Sequence, residues 1–189
     1  MRKSRVGVPI ARTALSLMAS IALLPVLGTP AASTSEAVAS ATVAWRADAL
    51  TITVPASANL GSGAAGNTIS ASLGTVTVVD TRGGMPPWTA TVSATDFTTG
   101  GGSPAQTITK ANISYWSGTI TDSSGGGSRT PGQATAAQAV PLSTSVTAFS
   151  GRKPLSLTTS TSWAPTLVVT VSAATATGVY SGVITHSVA

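Results

Sequence analysis

The chain has no cysteine. Disulfide staples are excluded, and so is a lipid anchor attached through a cysteine. Small exported folds with little core often depend on such staples. About 150 residues beyond an N-terminal leader are enough to bury a core without them. Charge is scarce as well, since Asp, Glu, Lys and Arg make up 8% of the 189 residues. Histidine occurs once, at His186. A Ser-His-Asp triad needs a base oriented by a carboxylate beside a nucleophile. Here that base could only be His186, with Asp80, Asp96 or Asp122 to orient it. Glycosidic chemistry needs two carboxylates flanking a bond. The acids beyond the leader, Asp48, Asp80, Asp96 and Asp122, each sit beside a turn-like cluster. Asp in such places accepts hydrogen bonds from its own backbone. Zinc needs Cys, His or carboxylate groups converging on a tetrahedron, which one histidine cannot supply. Calcium prefers several acidic oxygens, and Asp96 with the carbonyls of Gly100 to Gly102 is at best a weak arrangement of that kind. The Gly-rich runs lack the Lys-Ser or Lys-Thr and the helix start of a phosphate loop. These absences lead us to expect a non-enzymatic protein without cofactor or metal.

The N-terminus is a targeting segment. Arg2, Lys3, Arg5 and Arg12 form a basic leader, followed by an uncharged apolar run from Ala14 to Leu27. Small residues then offer cleavage sites after Ala31, Ala39 or Ala41. That order is the layout of a secretory signal peptide. The apolar run is about 14 residues, short of the roughly 20 that a spanning helix needs. An uncleaved anchor is the competing reading. We expect a signal peptide over residues 1–39, cleaved between 31 and 41, and one domain over 40–189. Without an Arg-Arg pair the general secretory route is expected. No Leu-Pro-x-Thr-Gly sorting signal is present, so surface retention would be non-covalent. The formal net charge is +5, but beyond Ala41 six bases face four acids, near +2. No basic stripe exists for nucleic acid, and no membrane partner is expected after cleavage.

What remains is a chain of hydroxyl and aliphatic residues in period two. Leu50, Ile52 and Val54 alternate with Thr51 and Thr53, and Ile69, Ala71 and Leu73 with Ser70 and Ser72. Val76 and Val78 continue it, as do Trp88, Ala90, Val92 and Ala94. Leu167, Val169 and Val171 repeat it, with Val168 on the other face indicating fuller burial. Such alternation is a half-buried strand, and β-branched residues suit the pleat. Gly61-Ser62-Gly63, Arg82-Gly83-Gly84, Gly100-Gly101-Gly102 and Gly125-Gly126-Gly127 punctuate the strands. The pattern predicts an all-β antiparallel sandwich or barrel. Thr109 to Asn112 has room for one helical turn, Gly125 to Ala139 reads as an exposed loop, and Tyr180 to Val188 as the closing strand. Trp88, Val92, Leu167, Val169 and Ile184 are expected inside, with Trp163 at the core edge. Trp45 is not placed.

Tyr115 and Trp116 face opposite ways if they share one regular strand. Tyr115, in phase with Ile113, goes in and Trp116 goes out. An outward indole beside hydroxyls suits stacking on a sugar ring. The other reading is an indole packed under a neighbouring loop, or a bulge that reverses the phase. His186 reads as a surface or edge residue, with a pH-sensitive contact as the alternative.

Two stretches carry a family resemblance: Trp88-Thr89-Ala90-Thr91-Val92-Ser93-Ala94-Thr95-Asp96-Phe97 and Tyr180-Ser181-Gly182-Val183-Ile184-Thr185-His186-Ser187-Val188. The second follows Tyr-x-x-x-aliphatic-Thr-Trp-x-Leu, with His186 in the Trp position and Val188 in the Leu position. The first lies where a proximal Trp-x-Leu belongs, with Ala90 in place of Leu. Over Leu50 to Val188 the chain resembles the WxL domain, a secreted surface module of Gram-positive bacteria. The resemblance implies an immunoglobulin-like β-sandwich and non-covalent attachment to cell-wall peptidoglycan or another glycan. Tyr180 and His186 mark its distal motif, and Trp116 is the aromatic expected to meet the glycan. A structural or adhesive subunit, adding strands between copies or to other surface proteins, is the second reading. A secreted enzyme or inhibitor is the third.

Overall fold

β-Branched and small residues at every second position give short antiparallel strands rather than helices. The computed structural model describes residues 49–155 and 158–189. The leader expected over 1–39, and Trp45, lie outside these residues. The described residues fall within one compact unit, Val43–Ala189. In chain order the strands are β1 (Leu50–Thr53), β2 (Thr68–Ser72), β3 (Val76–Asp80), β4 (Pro87–Ala94), β5 (Phe97–Thr98), β6 (Thr107–Ile108) and β7 (Ile113–Trp116). Then come β8 (Ile120–Ser124), β9 (Ser128–Pro131), β10 (Val140–Pro141), β11 (Val146–Arg152), β12 (Thr159–Trp163), β13 (Thr166–Thr170) and β14 (Ile184–Val188). Single 3₁₀ turns cover Pro104–Gln106, Lys110–Asn112 and Ala136–Gln138. Among the described residues no helix is long and apolar enough to cross a membrane.

The all-β expectation holds, with a sandwich-like arrangement. Three four-stranded sheets have the orders β1-β3-β12-β8, β10-β7-β13-β2 and β14-β4-β11-β9, and β5 pairs with β6. The first two sheets are halves of one bent layer. Three runs of chain, β2–β3, β12–β13 and β7–β8, pass from one half to the other. At the bend the middle run has two residues, Ala164 and Pro165, where each neighbour has three. The extra residues behave as bulges, which bend a strand. Each neighbour centres its bulge on a glycine at positive φ, Gly74 at 85° and Gly118 at 73°. Side chains are disfavoured in that region, and glycine is not. Pro165 lacks a donor, but its carbonyl accepts from Leu73 N at 2.9 Å, so the ladder survives the corner.

The third sheet covers the inner side of the bent layer. Its flanks are closed. β8 turns into β9 through Gly125, Gly126 and Gly127, all at positive φ. Arg129 Nε then donates to Thr161 Oγ1 at 2.8 Å, and its Nη2 reaches the Ser124 and Ser160 carbonyls. At the other flank β1 touches β14. The expected loop over Gly125–Ala139 is therefore corrected. It holds a tight turn, a strand and a 3₁₀ turn, because three consecutive glycines reverse the chain quickly enough for Ser128–Pro131 to join β11.

Of the residues expected inside, Trp88, Val92, Leu167 and Val169 are buried. Ile184 is only half-buried, because its strand is the edge of its sheet. Val54 lies past the end of β1 and is exposed, and Val168 is half-buried. Trp163 is fully buried at the centre rather than at the core edge. Its ring stacks on Phe149 at 4.9 Å between centroids, and Phe149 stacks on Trp88 at 6.4 Å. Gly151 makes room for this stack, since a Cβ there would lie 2.6 Å from the Trp88 indole.

Candidate functional site

The two motif stretches, separated by some eighty residues of sequence, become neighbours. β14 pairs antiparallel with β4, setting His186 opposite Val92 and Val188 opposite Ala90. Residues directly opposite share a face, and Ala90 and Val92 are buried. His186 therefore points inward. This corrects its reading as a surface residue: it is on an edge strand, but its ring is turned to the core. The closing strand is also shorter than expected. Regular pairing spans Ile184–Val188, and ahead of it only Ser181 bridges, to Thr98. Gly182 is pressed against the Phe97 ring, and Tyr180 is drawn into a loop by its hydroxyl. That hydroxyl lies 2.7 Å from the Ala176 carbonyl and 3.2 Å from that of Ala105.

Inside, His186 meets Tyr115 from the facing layer. The ring centroids are 5.8 Å apart, and Tyr115 Oη lies 3.3 Å from His186 Nε2. Trp163 Nε1 approaches the same hydroxyl at 3.4 Å. An indole N–H only donates, so Tyr115 Oη accepts from Trp163 and has its proton free for His186 Nε2. That direction requires a neutral imidazole. Burial lowers the His186 pKa to about 4. Burial raises that of Tyr115, an effect the Trp163 hydrogen bond only partly offsets. Both groups are uncharged at neutral pH.

Two adjoining clefts open among the neighbouring loops, and His186 lines the smaller of them. The smaller, about 220 Å³, is lined by His186, Val183 and Val54 over Leu73, Val76 and Leu167. The larger, about 870 Å³, lies between the loops around residues 58–65 and 175–182. Its floor is Ile69, Phe97, Ile108, Val169 and Val171, and Tyr180 is on its wall. Leu60, Phe97 and Gly182 belong to both. Neither lining includes a carboxylate, Lys or Arg. Among the exposed large apolar side chains, Val54, Val179 and Val183 line these clefts.

The three residues singled out in the sequence do not converge. His186 belongs to the smaller cleft, Tyr180 to the larger, and Trp116 to neither. Trp116 is half-buried on the outer side of β7, with Tyr115 fully buried behind it, as the alternation required. Its indole lies beside Gly118, in the corner that follows β7. The clefts had no local signal in the sequence, because they form between loops remote from each other along the chain.

Two of the acids, Asp80 and Asp96, are occupied structurally. Asp80 is buried, accepts the Arg82 backbone N–H at 3.0 Å, and pairs with the Arg82 guanidinium at 3.0 Å. Burial alone would raise its pKa, but the Arg82 hydrogen bonds and charge, helped by the Lys153 charge, hold it below the ordinary value. Asp96 Oδ1 accepts the Lys110 backbone N–H at 2.8 Å, which fastens the short 3₁₀ turn. Among the described residues no three His, Cys, Asp or Glu side chains cluster as metal ligands would. No family model, curated protein or solved structure matches this chain.

Proposed function

We propose that the protein is a secreted, non-enzymatic surface module that associates non-covalently with cell-wall peptidoglycan or another glycan. The observation that carries this reading is the pairing of β4 with β14. The two stretches on which the WxL resemblance rests are side by side, in register, with Trp88 and His186 both turned to the core. The immunoglobulin-like description of the sandwich belongs to the same reading. The ligand contact falls to the aromatic groups nearer the surface, Trp116 on β7 and Tyr180 at the larger cleft. A flat indole face binds a sugar without charge, which suits a chain so poor in ions.

Retention of the mature protein on isolated walls is the test. Binding is expected to persist as salt is raised, because no cluster of charges is there to be screened. Trp116→Ala is expected to weaken retention with little change in thermal midpoint. Wild-type protein that passes unretained through isolated walls would sink the proposal. Concentration-dependent assembly would then favour the second reading, a structural or adhesive subunit. One feature supports that alternative: both flanks of the sandwich are closed, whereas β2 pairs on one side only, with β13.

A further inference from the structure

We propose that β14 is a pH-operated latch: protonation of His186 releases this strand from β4 and opens the smaller cleft. β14 is the edge of its sheet and is held by one ladder, to β4, which continues through Ala189 to Thr89. Its inward side chains, Ile184, His186 and Val188, are each only half-buried. The outward ones, Thr185 and Ser187, are exposed. Among the described residues, the middle inward position thus holds the strand's one side-chain polar tie to the facing layer, the bond from Tyr115 Oη to Nε2.

Protonation reverses that tie. An imidazolium has two donors and no acceptor, so Tyr115 Oη, which already receives the Trp163 N–H, must turn its own proton away and accept a second donor beside a buried charge. Among the described residues the surroundings offer no counter-charge. β7 presents Tyr115, and the β1 end presents Val54 and Pro55. The β2–β3 corner and β13 present Leu73, Val76 and Leu167. Asp80 on β3 is engaged with Arg82. Asp96 lies four residues past Val92, the partner of His186, and holds Lys110 N. An unpaired buried charge is costly, and the cheapest escape is for the strand to leave. β4 remains paired with β11, and β1 with β3, so the rest of the sandwich keeps its ladders. The release has a natural stop at Val183, which is tied to Thr95 through N to Oγ1 at 2.9 Å and through its carbonyl to Thr95 N at 2.9 Å.

The size of the effect follows from linkage. In the docked strand burial lowers the His186 pKa to about 4, and a released histidine titrates near 6.5. Between those values the release constant rises by up to about tenfold for each pH unit lost. From pH 6.5 to 4.5 the rise is about fortyfold, since the released histidine is half-protonated at the upper end and the docked one begins to titrate at the lower.

Amide hydrogen exchange of the full chain at pH 6.5 and 4.5, corrected for intrinsic rates, tests the latch. Protection of residues 184–188 is expected to fall about fortyfold, while β11 and β12 stay protected. His186→Gln, whose amide still accepts from Tyr115 but does not titrate, is expected to abolish the fall. His186→Phe does the same with a ring in place and serves if the Gln variant fails to fold. Constant protection of residues 184–188 in wild type overturns the latch, and so does an equal fall in either variant. Simultaneous loss of β11 and β12 also overturns it, since that is acid unfolding of the whole domain. Titration of His186 by NMR is expected to show a midpoint well below 6.5, and one near 6.5 would refute the docked state described here.

Discussion

The aromatic centre and the cleft-bearing loops of this domain are built on different terms. Trp88, Phe149, Trp163 and Tyr115 come from both layers of the sandwich and bury one another almost completely. Their positions are set by ladders on both sides, since β4, β7, β11 and β12 are all interior strands. Around the clefts, the segments 54–67 and 171–183 have no strand of their own. They are held at a few points, such as the paired bonds of Val171 with Gly66 and Asn67 and the Tyr180 hydroxyl to two loop carbonyls. Val179 is 89% exposed there. The lesson is a division of labour. Chain that is double-paired carries stability, and chain that is tethered at points leaves apolar surface open.

The sharpest break of this comparison comes at the centre. Trp163→Ala removes a fully buried ring and the N–H that Tyr115 Oη accepts. Chemical denaturation is expected to show a loss of about 3–5 kcal/mol, with Trp88→Ala in the same range. A loss under about 1 kcal/mol would mean the ring is not where the centre places it.

Acid sharpens the contrast next. The folded His186 pKa is depressed, so the neutral form favours the fold. Its contribution is complete above about pH 6.5 and is lost as pH falls towards about 4, with a slope of up to ~1.4 kcal/mol per unit. Asp80, whose carboxylate is also held below its ordinary value, contributes above its unfolded pKa and is lost at lower pH, as its folded pKa is crossed. Two successive losses are expected in a pH series of urea midpoints, the first absent in His186→Gln. The larger cleft has neither a carboxylate nor an imidazole in its lining, so nothing there adds to either loss.

The smallest effect is expected at the cleft. Tyr180→Phe leaves the ring and removes the hydroxyl from the Ala176 and Ala105 carbonyls. Its cost is about 0.5–1.5 kcal/mol, far below that of the central tryptophans. A cost equal to theirs would end the distinction between the two regions.

Much of the domain was legible because strands advertise themselves in period two. Trp88, Val92, Leu167 and Val169 were placed inside from phase alone, and Tyr115 was set behind Trp116 by the same reasoning. Phase was not enough for His186. Its inward turn depends on which residue of β4 lies opposite, and that register is decided across the sheet. Gly125 to Gly127 read as loop because flexibility and tight reversal share one composition. The strand after them forms only because β11 offers an edge and Arg129 closes the flank.

By itself, then, the sequence determined an all-β domain with hydroxyl and aliphatic faces, few charges and no sulfur cross-links. Those are local properties: alternation selects the strand, and composition limits the chemistry. Only the tertiary structure decided that two distant motifs pair as neighbours, that Trp163, Tyr115 and His186 form one hydrogen-bonded series, and that clefts open between loops. Each of these joins residues remote in the chain. Such contacts are selected by the packing of whole layers around a shared core, which no short stretch of sequence encodes.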